Sequence, residues 1–66
     1  FRKTMYTKHA IKRGSIITGD DIIYTAPAYG IYAKFEDVVI GQTIIRDVAE
    51  NMPITWDMLG GVSGEY

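Results

Sequence analysis

The chain repeats itself once. Laid over itself so that Ile11 falls on Val48, it also places Gly14 on Asn51, Ile17 on Ile54, Thr18 on Thr55, Asp20 on Asp57 and Ile22 on Leu59. The matches agree in type. Gly and Asn enter the left-handed backbone region most readily, so Arg13-Gly14 and Glu50-Asn51 both read as tight turns opening a short strand. Thr18 and Thr55 can each cap a single helical turn through the side-chain oxygen, with Asp20 and Asp57 set against the positive end of that turn. The repeat therefore predicts two copies of one unit, strand, turn, strand and capped turn, related by an approximate twofold axis.

No stretch sustains a 3.6-residue apolar spacing, whereas short β-branched and aromatic runs bounded by Gly, Pro and Asn recur along the chain. This predicts strands over Thr4–Thr7, Ser15–Ile17, Ile22–Thr25 and Thr43–Val48, with a brief extended piece at Pro53–Ile54. One short helix fits, Phe35–Ile40, with Glu36 and Asp37 near its start and Gly41 just past its end. The expected core is Met5, Ile11, Ile17, Ile22, Val39, Ile44, Val48, Ile54 and Leu59. At 66 residues with no cysteine, that core is small and has no disulfide or thiolate zinc site to reinforce it. The bounds expected are a domain over residues 3–60 and a flexible glycine-rich tail over 61–66. The abrupt Phe1-Arg2-Lys3 opening and that tail lead us to expect a domain of a longer protein. No apolar run reaches the length of a membrane span, and no secretory signal opens the chain.

Charge is divided unevenly. Arg2, Lys3, Lys8, Lys12 and Arg13 precede the first acid, Asp20, whereas only Lys34 and Arg46 accompany the eight carboxylates that follow. Such a dipole can steer an anionic partner toward the N-terminal end, but the favoured reading is a solvated strand face lying near the acidic half of its own chain. Five basic residues without a strongly basic, aromatic-rich surface make a poor nucleic-acid footprint.

The inventory for catalysis is thin, and we expect no catalytic and no metal-binding residues. His9 is the single histidine, and it would have to meet Ser15 across a turn to form a nucleophilic site. Asp20 and Asp21 lack a third carboxylate at calcium-loop spacing. The Gly60–Gly64 run follows no predicted strand and opens no helix, so it fails as a phosphate loop. One segment interrupts the strands: Ala26-Pro27-Ala28-Tyr29-Gly30-Ile31-Tyr32, with Lys34 close behind. Pro27 fixes its own φ and keeps Ala26 extended, and Gly30 permits a turn closed to other residues, so the loop should be stiff. Tyr29 and Tyr32 on either side of Gly30 offer a recognition surface or, alternatively, one ring packs inward. Gly14, Thr18, Asp20, Gly41, Asn51, Thr55 and Asp57 are the expected turns and caps.

The order of these features resembles the SAF domain family, the β-clip fold that includes type III fish antifreeze proteins and the C-terminal domain of sialic acid synthases. Arg2-Lys3-Thr4-Met5-Tyr6 resembles the basic-basic-Ser/Thr-aliphatic-aromatic entry of the synthase version. Ala10-Ile11-Lys12-Arg13-Gly14 with Ile17-Thr18-Gly19-Asp20-Asp21-Ile22 is similar to its I-K-K-G, I-T-x-D-D-L stretch. Pro27, Gly30-Ile31 and Ile40-Gly41-Gln42 match its R-P-x-x-G-I loop and I-G-K turn, and Arg46-Asp47-Val48 with Pro53-Ile54 continue the pattern.

The resemblance implies a mainly β, small β-clip domain with short strands, an internal pseudo-twofold and one or two single-turn helices. It also implies a cytoplasmic parent enzyme, a transferase of carbohydrate biosynthesis that condenses phosphoenolpyruvate with an N-acetylated amino sugar in a barrel holding divalent Mn or Mg. In that family the SAF domain crosses to the second subunit of a swapped homodimer and closes over its active site, contacting the amino sugar without performing chemistry. Its partners would be its own N-terminal barrel and that second subunit, with neither nucleic acid nor membrane involved. The expected contact loop is Ala26, Pro27, Tyr29, Gly30, Tyr32 and Lys34. One departure stands out: the family's arginine before the proline, which touches the sugar, is Ala26 here. An ice-binding module, a flagellar or pilus assembly chaperone domain and a sugar-acid dehydratase domain are the other uses of the fold.

Overall fold

The computed structural model describes residues 3–60. The expected tail over 61–66 lies outside the described residues. Strand β1 (Thr4–Thr7) pairs antiparallel with β2 (Ile22–Thr25), placing Thr4 opposite Thr25 and Thr7 opposite Ile22. Strand β3 (Thr43–Ile44) pairs antiparallel with β4 (Leu59–Gly60), placing Ile44 opposite Leu59. Single 3₁₀ turns occupy Gly19–Asp21, Ala33–Phe35 and Trp56–Met58, and the one α-helical turn, α1, spans Glu36–Val39.

Each unit of the repeat has its own two-stranded ladder, and the two units are bonded to each other as well. Ile11 and Val48, which are equivalent in the repeat, exchange both backbone hydrogen bonds at 2.9 and 2.8 Å. A residue bonded reciprocally to its own equivalent marks a twofold axis, as in an isologous dimer interface. The surrounding bonds obey the same axis. The Ile17 N–H donates to the Gln42 carbonyl at 2.9 Å as Ile54 does to Met5 at 2.9 Å, and Gly14 donates to Ile44 at 2.8 Å as Asn51 does to Thr7 at 2.9 Å. Likewise Ile44 donates to Ser15 at 2.8 Å and Thr7 to Met52 at 2.9 Å. Each of these bonds crosses from one unit to the other. The tight turns fall where the repeat requires them, with φ of 92° at Gly14 and 59° at Asn51.

Burial follows from this interlocking. β1 is buried along its whole length because β2 lies on one edge while Tyr32 and Pro53 bridge to Thr4 and Tyr6 on the other. Ile17 and Ile54, equivalent in the repeat, are both fully buried with Met5, Val39 and Ile44. All nine expected core residues are buried, and the core additionally takes in Ile31. Thr7, the equivalent of Ile44, is buried and polar; its hydroxyl donates to the Ala49 carbonyl at 2.7 Å and accepts from the Met52 N–H at 2.9 Å.

Several sequence expectations are corrected. Ser15–Ile17 is not a strand but contributes a single bridge, Ile16 to Thr43, and Pro53 contributes one to Tyr6. The expected strand over Thr43–Val48 shortens to Thr43–Ile44, because beyond Ile44 the ladder gives way to isolated bonds, from Ile45 to Met58 and between Val48 and Ile11. The helix is shorter than Phe35–Ile40 and follows a 3₁₀ turn that begins at Ala33. The glycine-rich run does follow a strand, since Gly60 pairs with Thr43 in β4.

Candidate functional site

The segment between β2 and β3 links the two units of the repeat, and it carries the loop from Ala26 to Lys34. Its first peptide bond, Ala26–Pro27, is cis. The Pro27 carbonyl accepts from the Tyr6 hydroxyl at 2.6 Å and from the Tyr29 N–H at 2.9 Å. The Gly30 N–H donates to the Thr4 hydroxyl at 3.2 Å. Ile31 then inserts like an extra strand, donating to the Ile54 carbonyl at 2.8 Å and accepting from the Met5 N–H at 2.9 Å. Both units of the repeat therefore fasten the loop.

Gly30 is the pivot for steric reasons. A Cβ there would stand 2.7 Å from the Met5 carbonyl oxygen and 2.9 Å from that of Ile54, closer than carbon and oxygen tolerate. Only glycine lets the loop lie this close to β1. With the backbone so held, the side chains on either side face outward: Tyr29 is 72% exposed and Tyr32 36%. Ala26, Pro27 and Lys34 are exposed as well. The Lys34 Nζ sits 5.1 Å from the centroid of the Phe35 ring, and Phe35 meets Trp56 edge-on at 5.9 Å. Lys3, Tyr32, Ala33 and Lys34 line an open cavity of about 280 Å³.

Thr18 and Thr55 both occupy the position before a 3₁₀ turn. The Asp21 carboxylate, rather than that of Asp20, accepts from the Thr18 N–H at 2.9 Å and from its hydroxyl at 3.2 Å. In the other unit the Thr55 hydroxyl donates to Asp57, and this contact, with help from the Arg46 guanidinium and against slight burial, lowers the Asp57 carboxyl below its ordinary value. Gly41, with φ of 97°, ends the segment that follows α1.

Three contacts were not legible from spacing. His9 is paired with Asp21 at 2.8 Å, not with Ser15. Its equivalent in the repeat, Arg46, is paired with Asp57 at 2.9 Å, so each unit holds a basic side chain onto its own 3₁₀ turn. Below the loop, the Tyr24 hydroxyl donates to Glu36 at 2.5 Å and ties β2 to α1. Among the described residues, no three His, Cys, Asp or Glu side chains gather where they could hold a metal ion, and no helix is long and apolar enough to cross a membrane.

Compared with known proteins, residues 2–60 match the model of the SAF domain. Among curated proteins the chain is similar to Uncharacterized protein MJ1065 of Methanocaldococcus jannaschii, at 32% identity over 60 residues. That match covers 91% of this chain and 18% of the relative, so the chain spans under a fifth of the length of the curated relative it matches.

Two predictions follow from the loop and its support. Gly30→Ala should lower stability by about 1–3 kcal/mol through overpacking, whereas Gly19→Ala, which meets nothing within 4 Å, should be neutral or slightly stabilising. Urea unfolding of both variants checks this, and equal behaviour would contradict the steric account of the loop. The second concerns Tyr24, whose hydroxyl is pushed up from 10.0 to about 12, first by its hydrogen bond to Glu36 and then by burial and the nearby negative charges of Glu36 and Asp37. Because the folded value is raised, this bond's contribution is fully present below pH 10 and disappears as the pH climbs through about 12. Tyr24→Phe should abolish the part of the stability loss confined to that window. An unchanged alkaline profile in the variant would show that the hydrogen bond does not persist in solution.

Proposed function

The chain belongs to the SAF domain family, and we propose on that premise that it closes over the active site of a longer enzyme, a sialic acid synthase. That enzyme condenses phosphoenolpyruvate with an N-acetylated amino sugar. The domain performs no catalytic step itself. It crosses to the second subunit of a swapped homodimer, contacts the sugar and excludes water from the reacting groups, the role of a lid. The divalent metal, Mn or Mg, belongs to the barrel domain of the parent, and the parent is cytoplasmic.

The observation that carries this reading is the way one loop is fastened to the core. Two equivalent units build that core, and the segment that links them holds the loop from Ala26 to Lys34. A backbone fixed at Pro27, Gly30 and Ile31 presents two tyrosines at its surface, which suits recognition of a small polar ligand better than it suits stability. The relative adds support: a protein of which the match covers 18% has room for a barrel of about 250 residues. An ice-binding role is less well supported, because the Gly19–Asp21 turn carries two carboxylates whose hydration spoils a flat, weakly polar face.

The test uses the parent enzyme and the position of the departure. Ala26 is exposed, so an arginine fits there without disturbing the core. Ala26→Arg should add one hydrogen bond from a charged donor, worth roughly 1.5–3 kcal/mol, and lower KM for N-acetylmannosamine about tenfold to a hundredfold while leaving KM for phosphoenolpyruvate unchanged. The 66-residue chain alone should release no phosphate from phosphoenolpyruvate, with sugar and divalent metal present. Turnover by the isolated chain, or a parent that does not condense the two substrates, would contradict the proposal.

A further inference from the structure

Alternation along β1 sends Thr4 and Tyr6 to one face of the strand, and both hydroxyls reach the loop. That of Tyr6 donates to the Pro27 carbonyl at 2.6 Å, and that of Thr4 accepts from the Gly30 N–H at 3.2 Å. Tyr6 is itself buried and held on both edges, opposite Ile23 in β2 and bridged to Pro53. The Thr4 hydroxyl lies 3.5 Å from the Pro27 carbonyl, beyond the length of a strong hydroxyl bond. The other bonds of this stretch are local, from the Tyr29 N–H to the Pro27 carbonyl at 2.9 Å and from the Thr25 hydroxyl to the Ala26 carbonyl at 3.3 Å. Among the described residues, Ala26–Tyr29 therefore makes one short hydrogen bond to the body of the domain, and the Tyr6 side chain donates it.

We propose that Tyr6 is the positioning residue of the recognition loop: its hydroxyl, through the Pro27 carbonyl, fixes the backbone from which the exposed Tyr29 ring meets a ligand. The inference rests on the sugar-contacting role given above and adds to it a residue that lies outside the loop and touches no ligand. A buried tyrosine suits the task, because its apolar ring is held by the strand while its polar tip needs a partner. Tyr6 from the strand and Tyr29 from the loop approach the same oxygen, so losing the first donor leaves the Pro27 peptide free to turn with the second. Phenylalanine keeps the ring and removes the hydroxyl alone. Thr7 supplies the comparison: it is a buried hydroxyl of the same strand on the opposite face, where it bonds the Ala49 carbonyl and the Met52 N–H and no part of the loop.

Amide hydrogen exchange of the 66-residue chain and steady-state kinetics of the parent test this, each with Tyr6→Phe and Thr7→Val. Both variants lose a buried hydroxyl and with it global stability, so exchange rises throughout in each. Tyr6→Phe alone should in addition quicken exchange at Tyr29 and Gly30 relative to Ile31 and Ile54, by about twofold to tenfold, the range of one lost hydrogen bond. In the parent, Tyr6→Phe should raise KM for N-acetylmannosamine by a similar factor and leave kcat and KM for phosphoenolpyruvate unchanged, whereas Thr7→Val should change none of the three. The same relative exchange at Tyr29 and Gly30 in both variants overturns the positioning role. So does a sugar KM that Tyr6→Phe leaves unchanged in a parent that condenses the two substrates. A parent that condenses nothing counts against the synthase reading alone, and the exchange comparison then decides by itself whether Tyr6 sets the loop.

Discussion

The reciprocal bonds between Ile11 and Val48 are the interaction on which the rest of the molecule depends. Two-stranded sheets are marginal in water, and β3 with β4 is only two residues long on each side. Neither half of the repeat can stand alone. What stabilises both is that each unit's turn and following segment bond to the other unit's first strand, at Gly14 with Ile44 and at Asn51 with Thr7. The backbone polar groups of each half are thereby satisfied by its partner, and the apolar residues, Ile17 and Ile54 among them, meet on the axis between the halves.

A symmetric core leaves a chain this small with few places for a distinctive surface, and the linking segment supplies one. Its rigidity is borrowed. The loop is fastened to β1 through Thr4, Met5 and Tyr6 and to the other unit through Ile54, so its shape is determined by the best-buried part of the protein. A contact surface held this way loses little conformational entropy on meeting a ligand. The same arrangement explains why Lys3, at the entry to β1, and Lys34, beyond the loop, border one cavity although they are far apart in sequence.

The repeat was readable because it is written in residue types with strong backbone or burial preferences: Gly or Asn at the turn, Ile at the axis, Thr before the 3₁₀ turn. The strands were readable only where a ladder exists. Thr4–Thr7 and Ile22–Thr25 pair along their whole length, whereas Ser15–Ile17 has similar composition but meets the other unit through one bridge at Ile16 and isolated bonds at Ser15 and Ile17, which local pattern does not encode. Leu59–Gly60 was missed for the opposite reason, since its glycine reads as loop while its pairing to Thr43 is long-range. At the loop, Pro27 and Gly30 marked the interruption between strands, but Gly30 is required there by its closeness to the Met5 and Ile54 carbonyls and not by a positive φ. That Ile31 is core, that Gly30 lies against the Met5 carbonyl and that Lys3 borders the cavity are consequences of tertiary contact, and nothing in the spacing reports them. His9 shows the same limit, because its partner Asp21 is identified only by the folded turn.

The central claim is that the segment linking the two units is the part that meets a sugar. A crystal structure of the longer parent protein with its amino sugar bound measures this most directly. The account predicts a side chain of the Ala26–Lys34 loop, or Lys3 beside it, within hydrogen-bonding distance of the sugar bound to the other subunit. A sugar bound with that loop facing bulk solvent would contradict it.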